Sequence, residues 1–198
     1  MPRYRLQALF VAVVPSVFWL VIAGCGDQPL RLSPTKVNAM TAALEAMNMY
    51  DANKDGRISG EELDRCPSLW AIAVDDVVTR QMIAARIVGW QSSAMGRAAV
   101  SVAVLHNGKG LPDASVKLAP EKFLSDVVPA IGKTDANGAT ILTVPTSGPA
   151  EPKGASLGFY RVEITKNGED IPAKYNTETT LGMAVLRIEN IETFNLDY

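Results

Sequence analysis

Hydrophobic positions fall along this chain in three successive patterns. Leu6–Ile22 is almost wholly apolar, broken only by Gln7, Pro15 and Ser16. Arg3 and Arg5 precede it, and the small residues Ala23-Gly24 close it ahead of Cys25. A positive start, an apolar stretch and a small-residue exit is the layout of an export signal. A retained membrane helix is the rival, since the run approaches the ~20 residues a span needs. Pro15 in its middle and the abrupt change to Gly-Cys-Gly-Asp weigh against that rival. The second pattern is helical. Ser33-Pro34 predicts a helix start, because Ser caps free N–H groups and Pro is tolerated at the first helical position. Val37, Met40, Leu44 and Met47 follow at spacings of three and four, one apolar stripe running to Tyr50. A short segment, Glu61–Arg65, stops near Pro67. A further helix is expected from about Thr79, with Ile83, Ile87, Trp90 and Ala94 on one face and a junction across Gly89–Arg97.

From Ala98 the third pattern takes over. Val100–Leu105, Ser115–Leu118, Thr140–Val144 and Tyr160–Thr165 read as strands, with further edges at Leu186–Ile191 and Phe194–Leu196. Turn clusters divide them: Asn107-Gly108, Gly110-Leu-Pro-Asp113, Asp135-Ala-Asn-Gly138, Ser147-Gly-Pro149 and Lys166-Asn-Gly168. Short strands punctuated in this way predict an antiparallel sandwich of about 100 residues.

Composition narrows the chemistry. With 47% apolar and 20% charged residues, the chain can bury a core. A formal charge of -2 and the lack of any Lys/Arg run argue against nucleic acid as a partner. Two cysteines, Cys25 and Cys66, and one histidine, His106, leave too few ligands for a Cys/His zinc site. A Ser-His-Asp triad would have to be built on His106 alone, which ends a strand before a tight turn. Cys66, unpaired within the chain once Cys25 is otherwise used, is expected to be a small buried hydrophobe. Trp70 and Trp90, at helical positions, are expected to be core or packing residues.

One stretch carries chemistry. Asp51-Ala-Asn53-Lys-Asp55-Gly56-Arg57-Ile58-Ser59-Gly60-Glu61-Glu62 fits a twelve-position calcium loop of the EF-hand type at each demanding position. Calcium is a hard cation that takes six to eight oxygens, so such a loop aims alternate side chains inward. Asp51, Asn53 and Asp55 occupy positions one, three and five, and Gly56 sits where the chain turns sharply. Arg57 would supply only its backbone carbonyl, Ser59 would act through water or its hydroxyl, and Glu62 would close the shell with both oxygens. Asp135-Ala-Asn-Gly138 has no closing acid and reads as a turn. The segment from Ala71 to Met82 can be laid on the same frame with Val78 at position eight and Thr79 at nine, but Ala71, Ala73 and Met82 stand where ligands belong. It reads either as a degenerate second hand, kept for its β-bridge to Ile58, or as an unrelated connector. Three acidic ligands in an exported module suggest binding at roughly 10⁻⁵ to 10⁻³ M, which would serve mainly to lock the helices.

Two resemblances extend this reading. Ile22-Ala23-Gly24-Cys25 resembles the lipobox of bacterial lipoproteins, which implies lipid modification of Cys25 and removal of residues 1–24. Without Arg3 and Arg5, 17 basic residues face 21 acidic ones, a formal charge of -4. Asn107-Gly-Lys-Gly-Leu-Pro112-Asp-Ala114-Ser-Val-Lys-Leu118, Gly132-Lys-Thr134-Asp135-Ala-Asn137-Gly138 and Gly158-Phe-Tyr160-Arg-Val162 resemble the carboxypeptidase-regulatory-like, transthyretin-like sandwich modules of exported bacterial proteins. The insertion Glu121–Pro129 is longer than a hairpin needs, and Ile171–Thr180 lies where such modules carry a variable loop. The expected fold is α+β: a signal peptide (1–24), a tether (25–32), an EF-hand-like helical module (33–97) and an antiparallel transthyretin-like β-sandwich (98–198). The expected function is a non-catalytic, calcium-binding lipoprotein outside the cytoplasm, in the periplasm or at the cell surface, anchored to a membrane and presenting sandwich loops to a protein or surface partner. A calcium-responsive sensor using Met40, Met47 and Met49 is the first alternative. A hydrolase using Asp113, Glu121 or Asp126 is the second, weakened because the Tyr-Arg-Gly-Ser ending of hydrolytic transthyretin-like proteins is replaced by Asn195-Leu-Asp-Tyr198.

Overall fold

The computed structural model describes residues 32–93, 95–145, 153–186 and 189–198. The export segment, Cys25, Ala94 and the Ser147-Gly-Pro149 turn lie outside the described residues. No described helix is long and apolar enough to cross a membrane.

The first helix, α1 (Ala39–Tyr50), starts later than Ser33-Pro34. Asn38 is its cap, the side-chain oxygen accepting the Thr41 N–H at 3.1 Å and satisfying one of the free donors of the first turn. Its buried face also differs from the apolar stripe. Ala42, Ala43, Ala46 and Met47 are buried, whereas Met40 and Leu44 are exposed. The reason is the partner: α1 lies against α3 (Arg80–Ser92), and alanines let two helices approach closely where larger side chains would hold them apart. On α3 the expected residues do face inward, with Ile83, Ile87 and Trp90 buried. This helix runs through Gly89, so the junction begins only at Ser93.

Between the two helices come β1 (Arg57–Ser59), the short helix α2 (Glu61–Asp64), a 3₁₀ turn over Pro67–Ile72, and β2 (Val77–Thr79). β1 and β2 pair antiparallel with Ile58 opposite Val78, and both side chains are fully buried. Asp75 and Asp76, at φ 51° and 59°, reverse the chain between Val74 and Val77. Thr79 ends β2 and caps α3, its hydroxyl accepting the Met82 N–H at 3.4 Å.

The remaining strands are β3 (Ala99–His106), β4 (Lys109–Gly110), β5 (Ser115–Pro120), β6 (Ala130–Lys133), β7 (Ala139–Ile141), β8 (Gly158–Thr165), β9 (Gly182–Val185) and β10 (Glu189–Leu196). β10, β3 and β4 lie side by side with β7 also on β3, and the second sheet runs β6-β5-β8-β9. Alternate residues of both sheets (Val100, Val102 and Val104 on β3; Val162 and Ile164 on β8) are buried in one core, the pattern of two sheets sharing an inner face. Thr134 stitches the turns of this unit together: its hydroxyl donates to the Leu111 carbonyl at 2.6 Å and accepts the Ala114 N–H at 2.8 Å.

Several expectations are corrected. The sandwich is not wholly antiparallel, because β10 pairs with β3 in parallel along its whole length. The two edges foreseen near Leu186 and Phe194 are one strand, β10. β6 and β9 were not foreseen, and β7 is shorter than Thr140–Val144. Trp70 is no core residue, at 40% exposure.

The helices and the sandwich share one continuous core. Phe159, on the β8 face turned away from the sandwich interior, stacks obliquely on Trp90 with ring centroids 4.9 Å apart. The 3₁₀ turn lies across β8 and β9. A side-chain carbon on Gly182 of β9 would stand 2.3 Å from the Ser68 nitrogen, so only glycine permits that approach.

Candidate metal centre

The loop between α1 and α2 is built by its own backbone. Asp51 caps the end of α1, its N–H donating to the Met47 carbonyl at 2.9 Å. Lys54 and Gly56 then take positive φ, 60° and 85°. At Gly56 there is open space where a side chain would go, so the left-handed conformation alone accounts for glycine there. The turn brings the acceptors round to the N–H groups of the following residues. Asp51 accepts from Asp55 at 3.2 Å and Gly56 at 3.0 Å, Asn53 from Asp55 at 2.9 Å, and Asp55 from Arg57 at 2.9 Å.

Glu62 closes the ring from the other side. One carboxylate oxygen accepts the Ala52 and Asn53 N–H groups at 2.8 and 3.2 Å, and the other accepts Ser59 N–H at 3.2 Å. Glu62 is also among the few buried charged residues. The structure therefore gathers Asp51, Asn53, Asp55, Ser59 and Glu62 around one small loop. Arg57 enters β1 with its side chain exposed, as a residue needed only for its carbonyl can be. Among the described residues no three His, Cys, Asp or Glu side chains form a metal cluster by themselves. A shell at this loop draws also on Asn53, Ser59 and a carbonyl oxygen. This all-oxygen donor set, with three carboxylates and no nitrogen or sulfur, fits a hard divalent cation of calcium size.

Behind the loop lies a second polar group, drawn from distant parts of the chain. Glu121, just past β5, is fully buried. Its two oxygens accept the Tyr50 hydroxyl at 3.0 Å and the Ser68 hydroxyl at 2.9 Å. Burial raises its proton affinity above that of an ordinary glutamate, although the hydroxyl donors and the more distant Arg161 guanidinium oppose the shift. Cys66 is buried as expected, with Sγ 3.6 Å from the Ser68 hydroxyl. Burial, and then the charge of Glu121, push its thiol up, so it is held as an unreactive thiol. The same two causes push the Tyr50 hydroxyl up. No local pattern could have found this group, because Tyr50 and Ser68 are 71 and 53 residues from Glu121.

The other singled-out residues do not join either group. Asp135 turns the chain as expected, its carboxylate accepting the N–H groups of Asn137 and Ala139 at 2.8 and 2.9 Å. His106 stacks flat on Tyr198, with ring centroids 4.1 Å apart. Asp113 pairs with Lys133 at 2.8 Å in an exposed bridge, which holds its carboxyl below the usual carboxylate range. Comparison with protein-family models and with characterised proteins finds no match.

Proposed function

We propose that this chain is an exported, lipid-anchored protein that binds one calcium ion at Asp51–Glu62 and acts as a non-catalytic binding or structural module. The observation that carries the reading is the buried, two-sided Glu62 carboxylate. It shares one loop with the Asp51 and Asp55 carboxylates, and a cation bound there would offset the repulsion among three like charges. When bound, the ion would draw these oxygens and the Arg57 carbonyl into a single shell. The β1–β2 pair supports the degenerate-second-hand reading of residues 71–82: Ile58 and Val78 meet as the paired frame requires, and Asp75-Asp76 form a tight reversal in place of a ligand loop.

A calorimetric titration tests this. The full chain in detergent solution takes up one equivalent of calcium, and Glu62→Gln weakens binding at least about tenfold by removing a charged bidentate ligand. Equal affinity of the variant refutes the register.

In this reading the helical unit is EF-hand-like and the sandwich transthyretin-like, Cys25 carries the lipid anchor, and the protein lies in the periplasm or at the cell surface. Loops on a rigid sandwich suit recognition of a partner. The sensor alternative finds support in Met40, Leu44 and Met49, which are exposed on α1, but Met47 is buried against the core. The hydrolase alternative loses Glu121, which is shut away from substrate.

A further inference from the structure

We propose that Tyr50 and Glu121 couple the metal loop to the sandwich, so that calcium at Asp51–Glu62 and the seating of the helices on the β6-β5-β8-β9 sheet favour each other. This rests on the calcium reading above. The covalent path is as short as it can be: Tyr50 ends α1 and is bonded directly to Asp51, the first donor of the loop. Because the Asp51 N–H is held by Met47, the last turn of α1 and the loop entrance form one hydrogen-bonded unit. From that unit the Tyr50 ring stands edge-on to Phe123, centroids 6.3 Å apart, and its hydroxyl reaches Glu121.

Glu121 is itself fixed to the sandwich. Its N–H donates to the Phe159 carbonyl of β8 at 2.9 Å, and its own carbonyl accepts the Leu124 N–H at 2.7 Å. Its second oxygen holds Ser68, in the 3₁₀ turn that follows α2. One buried carboxylate of the sandwich therefore grips the segment entering the loop and the segment leaving it. The groups facing it are Tyr50 from α1, Cys66 and Ser68 from the 3₁₀ segment, and Arg161 from β8.

A buried carboxylate oxygen that loses its donor carries the full cost of its desolvation. Glu121 thus orders Tyr50 and Ser68, and with them the segments that enter and leave the loop. An ion at the loop orders the same two segments. Whichever event comes second has less freedom left to remove, which makes the two mutually favourable, and by linkage the effect is reciprocal. A purely structural Glu121 would lower stability without touching the affinity of the folded protein for calcium.

The test uses the full chain in detergent solution with calcium as the probe. Calorimetry is run on the wild type, Tyr50→Phe, Glu121→Gln and Val100→Ala, the last removing buried volume from the far sheet. Tyr50→Phe and Glu121→Gln each weaken calcium binding by roughly fivefold or more, while Val100→Ala binds as the wild type does. Amide exchange supplies a readout independent of affinity: calcium slows exchange at Glu121 and Leu124 in the wild type but not in Tyr50→Phe. Wild-type affinity and wild-type protection in Tyr50→Phe overturn the coupling and leave the calcium site standing. Failure of the wild type to bind calcium overturns the site and the coupling together. Should Glu121→Gln not fold, Tyr50→Phe decides alone, since it removes one oxygen from a partly exposed ring.

Discussion

Glu62 and Glu121 are both carboxylates withdrawn from water, and they differ in what they meet. Glu62 meets the backbone N–H groups of its own loop, which also carries Asp51 and Asp55. Glu121 meets two neutral hydroxyls brought from distant parts of the chain. That difference explains what could be read in advance. The role proposed for Glu62 follows from register within twelve residues, since calcium loops repeat the same local geometry. The role of Glu121 follows from tertiary packing alone, and a Pro-Glu-Lys run gives no hint of it. The burial of Glu121 also has a pH signature. Its folded proton affinity is raised above the unfolded value, so its contribution to stability is fully present below the unfolded pKa and is lost as pH rises through the folded one. Denaturant midpoints of the calcium-free wild type should therefore fall, relative to those of Glu121→Gln, across mildly acidic to neutral pH. Parallel curves for the two proteins would contradict this.

At the scale of elements, the helical signals were legible where a local cause existed. The start of α3 near Thr79 and its core face follow from spacing, and the Ile58–Val78 pairing was one of two readings that the sequence left open. The start and buried face of α1 were not legible. Asn38 competes with Ser33 as a cap, and the stripe of large residues on α1 is displaced by alanines because α3 comes so close. β6 and β9 carry little local strand signal because Ala130-Ile-Gly-Lys133 and Gly182-Met-Ala-Val185 contain weak strand formers. Pairing with β5 and β8 holds them extended. The local pattern splits β10 in two because its middle positions are polar and exposed; its parallel pairing with β3 is a long-range choice that local pattern does not encode.

For the whole molecule, the boundary drawn at residues 97 and 98 is a change of secondary structure and not a break in the core. Trp90 and Phe159 touch across it, and the Tyr50–Glu121–Ser68 group bridges it with hydrogen bonds. A metal loop placed at such a seam can stabilise more than the loop itself, because an ion that binds only the folded state adds stability by mass action. Anchoring is tested separately: Cys25→Ser should move the protein from the membrane fraction to the soluble fraction, and a variant still pelleting with membranes would favour a retained helix. The most direct measurement is a crystal structure of the protein grown in millimolar calcium. The account requires an ion bound by Asp51, Asn53, Asp55, the Arg57 carbonyl and both oxygens of Glu62, at about 2.3–2.6 Å. Ordered loop carboxylates pointing to solvent around an empty centre would contradict it.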